Sequence, residues 1–220
     1  MPTATTIPTP MTAAPAPTPA PAPTPTTAPM TLRAALDRYF AASGFDESSY
    51  VDDWVDIPLG PIPVRFPNTA DRKRTVPSHD LHHALTGYDA TFMGELQIAA
   101  WEIGGGMGRH WTGWFLNLTA MSWGAVVRPR TAFRAFVRGR RSHNLYQRPL
   151  APEQMSEDVE TVRAERGIKA SPAQATGRDY AAYVAYAAVA QVAGAVMLAL
   201  TPAMIGLGVW GRIKERTRAR

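Results

Sequence analysis

Histidines 79 and 83 are the residues of this chain whose type and spacing best suit chemistry. Residues four apart on a helix share a face, so both imidazoles can reach one point and share a cation. Asp80 sits about 100° round from His79 on such a helix. From there its carboxylate either reaches the ion or orients a ligating imidazole. Glu95 and Glu102, seven apart, share one face of a second expected helix. If the two helices pack antiparallel, Glu95 returns to the histidine pair. Two imidazoles with one or two carboxylates suit Zn, Fe or Mn better than Mg or Ca. The chain has no cysteine, so a metal must sit on nitrogen and oxygen. The spacing alone leaves a second reading open, surface histidines on an amphipathic helix. His82 reads as a solvated neighbour of the pair, and His110 and His143 as interfacial or structural.

The elements that must position these groups are mainly helical. Pro77-Ser78 reads as a helix start with Ser78 as its cap, and Gly87 as its end. Phe92, Met93, Leu96, Ala99, Ala100 and Ile103 recur at helical spacing over roughly 90–103, and Gly104-Gly105-Gly106 then reads as a helix stop. Residues 31–43 carry Leu32, Ala35, Leu36, Tyr39 and Phe40 on one face, an amphipathic helix that opens the folded domain. Pro58, Pro61, Pro63 and Pro67 make 57–68 an irregular loop. Residues 1–30 hold ten prolines, nine threonines and seven alanines without a side-chain charge. They lack the apolar surface to offset ordering entropy, and read as a disordered tail rather than a signal peptide.

Two apolar segments point to a membrane. From Tyr180 to Gly211 there is no charge for 32 residues, enough to exceed the roughly 30 Å hydrocarbon core of a bilayer. Tyr180, Tyr183 and Tyr186 mark one end, and Trp210 with the basic run 212–220 the other, as interfacial belts do. Trp111–Val127 is uncharged for 17 residues, the short limit for a span, and reads equally as a core or interfacial helix. Between Glu102 and Glu153 there is no acidic residue, and Arg128, Arg130, Arg134, Arg138, Arg140 and Arg141 cluster there. Beside apolar helices this cluster reads as headgroup contact with an anionic membrane, not as a nucleic-acid surface. The positive-inside tendency puts both basic regions on the cytoplasmic side. A simple span at 180–211 would separate them. Thr201-Pro202 offers a bend, giving either a re-entrant hairpin or a helix lying in the interface. Residues 151–179 read as a charged linker with one short helix.

His79-Asp80-x-x-His83, then eleven residues and Glu95, resembles the metal signature of the COQ-four family of ubiquinone biosynthesis. The resemblance is closest over about 70–106, includes Gly94-Glu95, and extends more loosely over 31–148. It implies a largely α-helical, membrane-peripheral domain, taken here as 31–150, with His79, Asp80, His83 and Glu95 as ligands of one divalent metal, zinc first and iron or manganese as alternatives. It also implies an isoprenoid quinone precursor as ligand, with removal of the ring C1 carboxyl of a prenylated benzoate coupled to hydroxylation there. The other function it implies is a non-catalytic, lipid-binding scaffold for other quinone-biosynthesis enzymes, in which a homodimer is allowed. A catalytic site leaves a coordination position open and a structural site closes it. A phosphohydrolase built on His79-Asp80 would need an earlier histidine, and His79 is the first in the chain.

Overall fold

The computed structural model describes residues 29–59, 62–171 and 174–218. Nearly all of the expected 1–30 tail therefore lies outside the described residues. The fold is mainly helical, with seven α-helices among the described residues. Helix α1 spans Leu32–Ser43, α2 Ala70–Thr86, α3 Phe92–Gly105, α4 Trp111–Val127, α5 Pro129–Arg140, α6 Val159–Glu165 and α7 Gly177–Arg218. Between α1 and α2 stand a 3-10 turn, Glu47–Tyr50, and two strands, β1 Trp54–Leu59 and β2 Ile62–Pro67.

Local chemistry sets these limits. Thr31 caps α1 by accepting from the Ala34 amide, and Gly44 closes it in the left-handed region at φ 73°. The second helix starts at Ala70, eight residues before the expected Ser78. Thr69 is its cap, accepting from Arg72 N–H, and Pro77 lies inside. Proline removes one helical donor and normally bends or ends a helix. Here the preceding turns are already nucleated by the Thr69 cap, and the Thr75 hydroxyl donates to the Asp71 carbonyl at 2.7 Å. Gly87, at φ 76°, ends α2 as the sequence suggests.

The expected irregular loop at 57–68 is instead an antiparallel hairpin. Its register pairs Trp54 with Pro67, Asp56 with Arg65 and Pro58 with Pro63. Pro58, Pro63 and Pro67 thus share one parity of the ladder, which suits the sites where facing residues exchange no backbone hydrogen bonds. The missing N–H groups then cost nothing. The Asp56–Arg65 pair at the same parity closes an ion pair at 2.7 Å across the strands.

The core lies among α2, α3, α4 and α5, around the fully buried Trp101, Phe136, Leu85, Ile98, Ile103 and Met121. Burying each such side chain contributes on the order of 1.5–3 kcal/mol. Helices α3 and α5 cross in backbone contact. A Cβ at Gly104 would meet the Phe136 carbonyl, and one at Gly139 would meet the Trp101 carbonyl. Helix α3 is therefore held rigidly behind the histidines. Helix α7 is one unbroken 42-residue helix with Pro202 inside it, so the expected bend into a hairpin at Thr201-Pro202 does not occur. It packs on α4, α5 and β2. Its segment Gly177–Lys214 is long and apolar enough to cross a membrane, with mean hydropathy 2.0 in its most apolar window and only 11% of that window buried.

Candidate metal centre

Helices α2 and α3 bring His79, His83 and Glu95 together, as antiparallel packing requires. Their donor atoms all lie within 4.8 Å of one another. His79 Nε2 and His83 Nε2 are 3.2 Å apart. Glu95 straddles them, with Oε2 at 3.5 Å from His79 Nε2 and Oε1 at 3.4 Å from His83 Nε2. Ligands at zinc–nitrogen distances of 2.0–2.1 Å in a tetrahedron stand about 3.3–3.4 Å from each other. The observed spacings match that edge length.

The outer contacts of the rings fix which nitrogens face inward. His79 Nδ1 is 3.1 Å from Glu102 Oε1, and His83 Nδ1 is 2.9 Å from the Tyr88 carbonyl. Both partners only accept, so each ring donates its Nδ1–H outward. Both Nε2 lone pairs are left facing each other and the Glu95 carboxylate. Such a concentration of lone pairs and negative charge calls for a cation at its centre. Metal-ligating histidines characteristically make these outer bonds to a carboxylate and to a backbone carbonyl. Tyr39 of α1 stacks on the His83 ring at 4.7 Å and further holds its plane.

Glu102 is the hub behind the site. It is fully buried and accepts from His79 Nδ1, from His82 Nδ1 at 2.6 Å, from Asn117 Nδ2 at 2.6 Å and from the Tyr146 hydroxyl at 3.0 Å. Burial alone would raise its pKa, but the charges and hydrogen bonds of His79 and His82 hold the carboxyl well below the usual range. Burial also works against a charged His79, yet Glu102 and Glu95 raise it well above an ordinary imidazole. Glu95 is likewise pushed up by burial, but hydrogen bonds from His79 and His83 bring it down to about 2. A proton shared within the cluster and a metal ion therefore answer the same electrostatic demand, and binding the metal releases the proton.

One expectation about this site is corrected. His82 is not a solvated neighbour. It is completely buried, donates to Glu102, and accepts the Leu145 amide at Nε2 at 2.9 Å. Burial lowers its pKa and keeps it neutral. Asp80 lies outside the donor set. It turns to the Tyr50 hydroxyl, which donates to it at 2.8 Å, and burial raises its carboxyl. It remains close enough to interact electrostatically with His79, His83 and Glu95.

His110 bonds Thr75 at 3.0 Å and His143 is exposed, so neither joins the cluster. Glu102 was legible from the sequence only as a residue sharing the Glu95 face. Asn117 and Tyr146, which complete its shell, gave no signal at all.

The arginine cluster divides. Arg128, Arg130 and Arg134 are exposed. Arg140 and Arg141 pair with the buried Asp179 at 2.9 and 2.6 Å, which anchors the start of α7. Arg138 corrects the headgroup expectation outright. It is 7% exposed and donates to the carbonyls of Thr86 and Lys169. The three donors His79, His83 and Glu95 form a group that could hold one metal ion. No family model, curated protein or solved structure matches the chain.

Proposed function

We propose that this protein is a metal-dependent enzyme seated on a membrane, acting on the ring carboxylate of a prenylated benzoate, the quinone-precursor chemistry implied by its resemblance to the COQ-four family. The observation that carries the reading is the convergence of two outward-tied imidazoles and one carboxylate on a single point. His79, His83 and Glu95 hold the ion, with zinc, iron or manganese all compatible with the donors. Bound there, the ion supplies an electrophilic site for a substrate carboxylate or ring oxygen. Glu102 and the Tyr88 carbonyl orient the imidazoles, and Asp80 with Tyr50 stands beside the site as a proton-holding pair.

Replacing a ring carboxyl by hydroxyl with dioxygen releases CO2 and puts one oxygen atom on the ring, while the second is reduced to water by two electrons from an external reductant. Zinc has no redox chemistry, so hydroxylation at this site requires iron or manganese. The exposed apolar surface of α7 and the exposed Arg128 and Arg130 support seating at an anionic membrane, with the precursor's tail in the lipid. Helix α7 touches the domain near both its ends, which favours a helix lying along the membrane over one crossing it. Both basic regions then share one side, which the positive-inside tendency makes the cytoplasmic one.

The test is elemental analysis of detergent-extracted protein, wild type beside a His79→Ala/His83→Ala variant, followed by CO2 release and oxygen uptake with a prenylated hydroxybenzoate and an added reductant. Near-stoichiometric metal lost in the variant, with metal-dependent CO2 release, is the expected result. Metal without turnover would leave a scaffold, and no metal in either protein would remove the enzyme reading.

A further inference from the structure

A second polar site lies on the far side of the loop that orients His83. Thr86, Gly87 and Tyr88, with α3 and α5, enclose an open cleft of about 290 Å³. Its polar side chains are those of Thr86, Tyr88, Gln97, Thr131, Arg134 and Arg138, and no acidic residue lines it.

Arg138 is the unusual member. Its Nε donates to the Lys169 carbonyl at 2.6 Å and its Nη2 to the Thr86 carbonyl at 2.9 Å, while its guanidinium lies 5.0 Å from the Tyr88 ring centroid. All three partners are neutral, and Nη1 has no acceptor among the described residues. A guanidinium buried to this degree normally faces a carboxylate, because neutral carbonyls do not cancel its charge. The exposed Arg140 and Arg141 share Asp179, and the buried Arg166 donates to the Arg148 carbonyl, but neither it nor they line this cleft. Arg134 stands one helical turn before Arg138 on the same cleft wall, and among the described residues it has neither hydrogen bond nor ion pair. Two guanidinium groups one turn apart on α5, with the Thr131 hydroxyl of the same helix and the Gln97 amide of α3, form a donor-rich cradle.

We propose that this cleft binds a phosphate group, with Arg138 as the buried anchor and Arg134 as the outer clamp. The fork geometry of guanidinium suits the paired oxygens of a phosphate, and the mouth is open enough for the rest of a phosphomonoester to extend outward. The phosphate comes either from a soluble ion or ester, or from a lipid headgroup. The site is separate from the metal centre, but the Tyr88 backbone is common to both, since its carbonyl accepts from His83.

Inorganic phosphate is titrated calorimetrically into full-length wild type, an Arg134→Gln variant and an Arg109→Gln control that removes an exposed arginine outside the cleft. In parallel, flotation is measured with phosphatidylcholine vesicles with and without phosphatidic acid. Loss of one charge-assisted contact weakens binding by about tenfold or more. Saturable phosphate binding that falls this far in Arg134→Gln and stays unchanged in Arg109→Gln supports the site with a soluble ligand. The same pattern confined to phosphatidic acid vesicles supports it with a lipid ligand. Absence of Arg134-dependent binding in both arms, or equal losses in the two variants, overturns it. Arg134 is exposed, so its replacement does not put folding at risk.

Discussion

Replacing Glu102 by glutamine removes one charge and changes little else in shape. The carboxylate accepts four hydrogen bonds, three at Oε1 from His79, His82 and Tyr146, and one at Oε2 from Asn117. A glutamine keeps the three-donor side by placing its carbonyl there. Its amide then faces the Asn117 amide, donor against donor, until Asn117 turns over and gives up its contact with the Met107 sulfur. Each retained bond falls from a charge-assisted to a neutral one, a loss of about 1 kcal/mol apiece. Over four bonds, less the recovered cost of burying the charge, the variant should lose about 2–4 kcal/mol of stability and still fold. At the metal the change acts only through His79, whose Nδ1–H loses an anionic acceptor. Outer-shell changes of this kind cost about 10–100-fold in metal affinity. Chelator competition on the folded protein measures that constant, and thermal melting measures the stability. A Glu102→Gln protein that binds metal within about twofold of wild type and melts unchanged would refute the reasoning, because Glu102 would then be a bystander to both fold and site.

Two further outcomes follow from the same geometry. Glu95→Gln should abolish stoichiometric metal binding, whereas Asp80→Asn should retain it, since Asp80 is engaged with Tyr50; equal loss in both variants would restore Asp80 as a ligand. Burial works against the Asp179 charge, but hydrogen bonds from Thr176 and Arg140 and the charge of Arg141 hold its carboxyl down at about 2. The folded pKa lies below the unfolded value of about 3.9, so this contribution is present above pH 4 and is lost as pH falls from about 4 to 2. Melting curves across that window should show the loss in wild type and not in Asp179→Asn, and identical slopes would argue against the anchor.

What the sequence disclosed depended on how far each signal reaches along the chain. The histidine pair and Glu95 were legible because their geometry follows from two periodic helices and the Gly87 break between them. The uncharged run 111–127 coincides with α4 because the flanking His110 and Arg128-Pro129 interrupt the helix where the pattern changes. Pro77 misled because a proline marks a helix start only when nothing upstream has already nucleated the helix, and Thr69 had. The hairpin was hidden because its prolines become harmless only in one register, which a partner strand sets. Glu102 and Asp179 were invisible as anchors for a related reason. Their partners, Tyr146 and Arg140 among them, lie 44 and 39 residues away. His82 looked solvated beside two ligands, whereas its burial is decided by Trp101 and Tyr146, which pack against its ring.

The path of α7 is open to a direct test. From Asp179 to Gly211 the helix is about 48 Å long, so length alone permits it to cross a hydrocarbon core of about 30 Å. The contacts along it argue otherwise. Asp179 is clasped by Arg140 and Arg141 of α5, while Gly211 packs against the guanidinium of Arg65, itself paired with Asp56 in the hairpin. The hairpin is tied to the domain at its base, where the Asn68 side-chain amide donates to the Ser49 carbonyl and Lys73 of α2 pairs with Asp53. Strands of six residues reach only about 20 Å. They are too short to carry Arg65 and Asp56 through the bilayer to the far end of a crossing helix. Both ends of α7 should therefore face one compartment, with Val184, Val192 and Leu198 turned to the lipid. The chain has no cysteine, so Arg178→Cys and Lys214→Cys each introduce a single reactive site. In sealed membrane vesicles of known orientation, a membrane-impermeant maleimide should label the two variants alike before detergent is added. Labelling of one variant before detergent and of the other only after it would make α7 a span, and the contact between Arg65 and Gly211 could not then exist in the membrane.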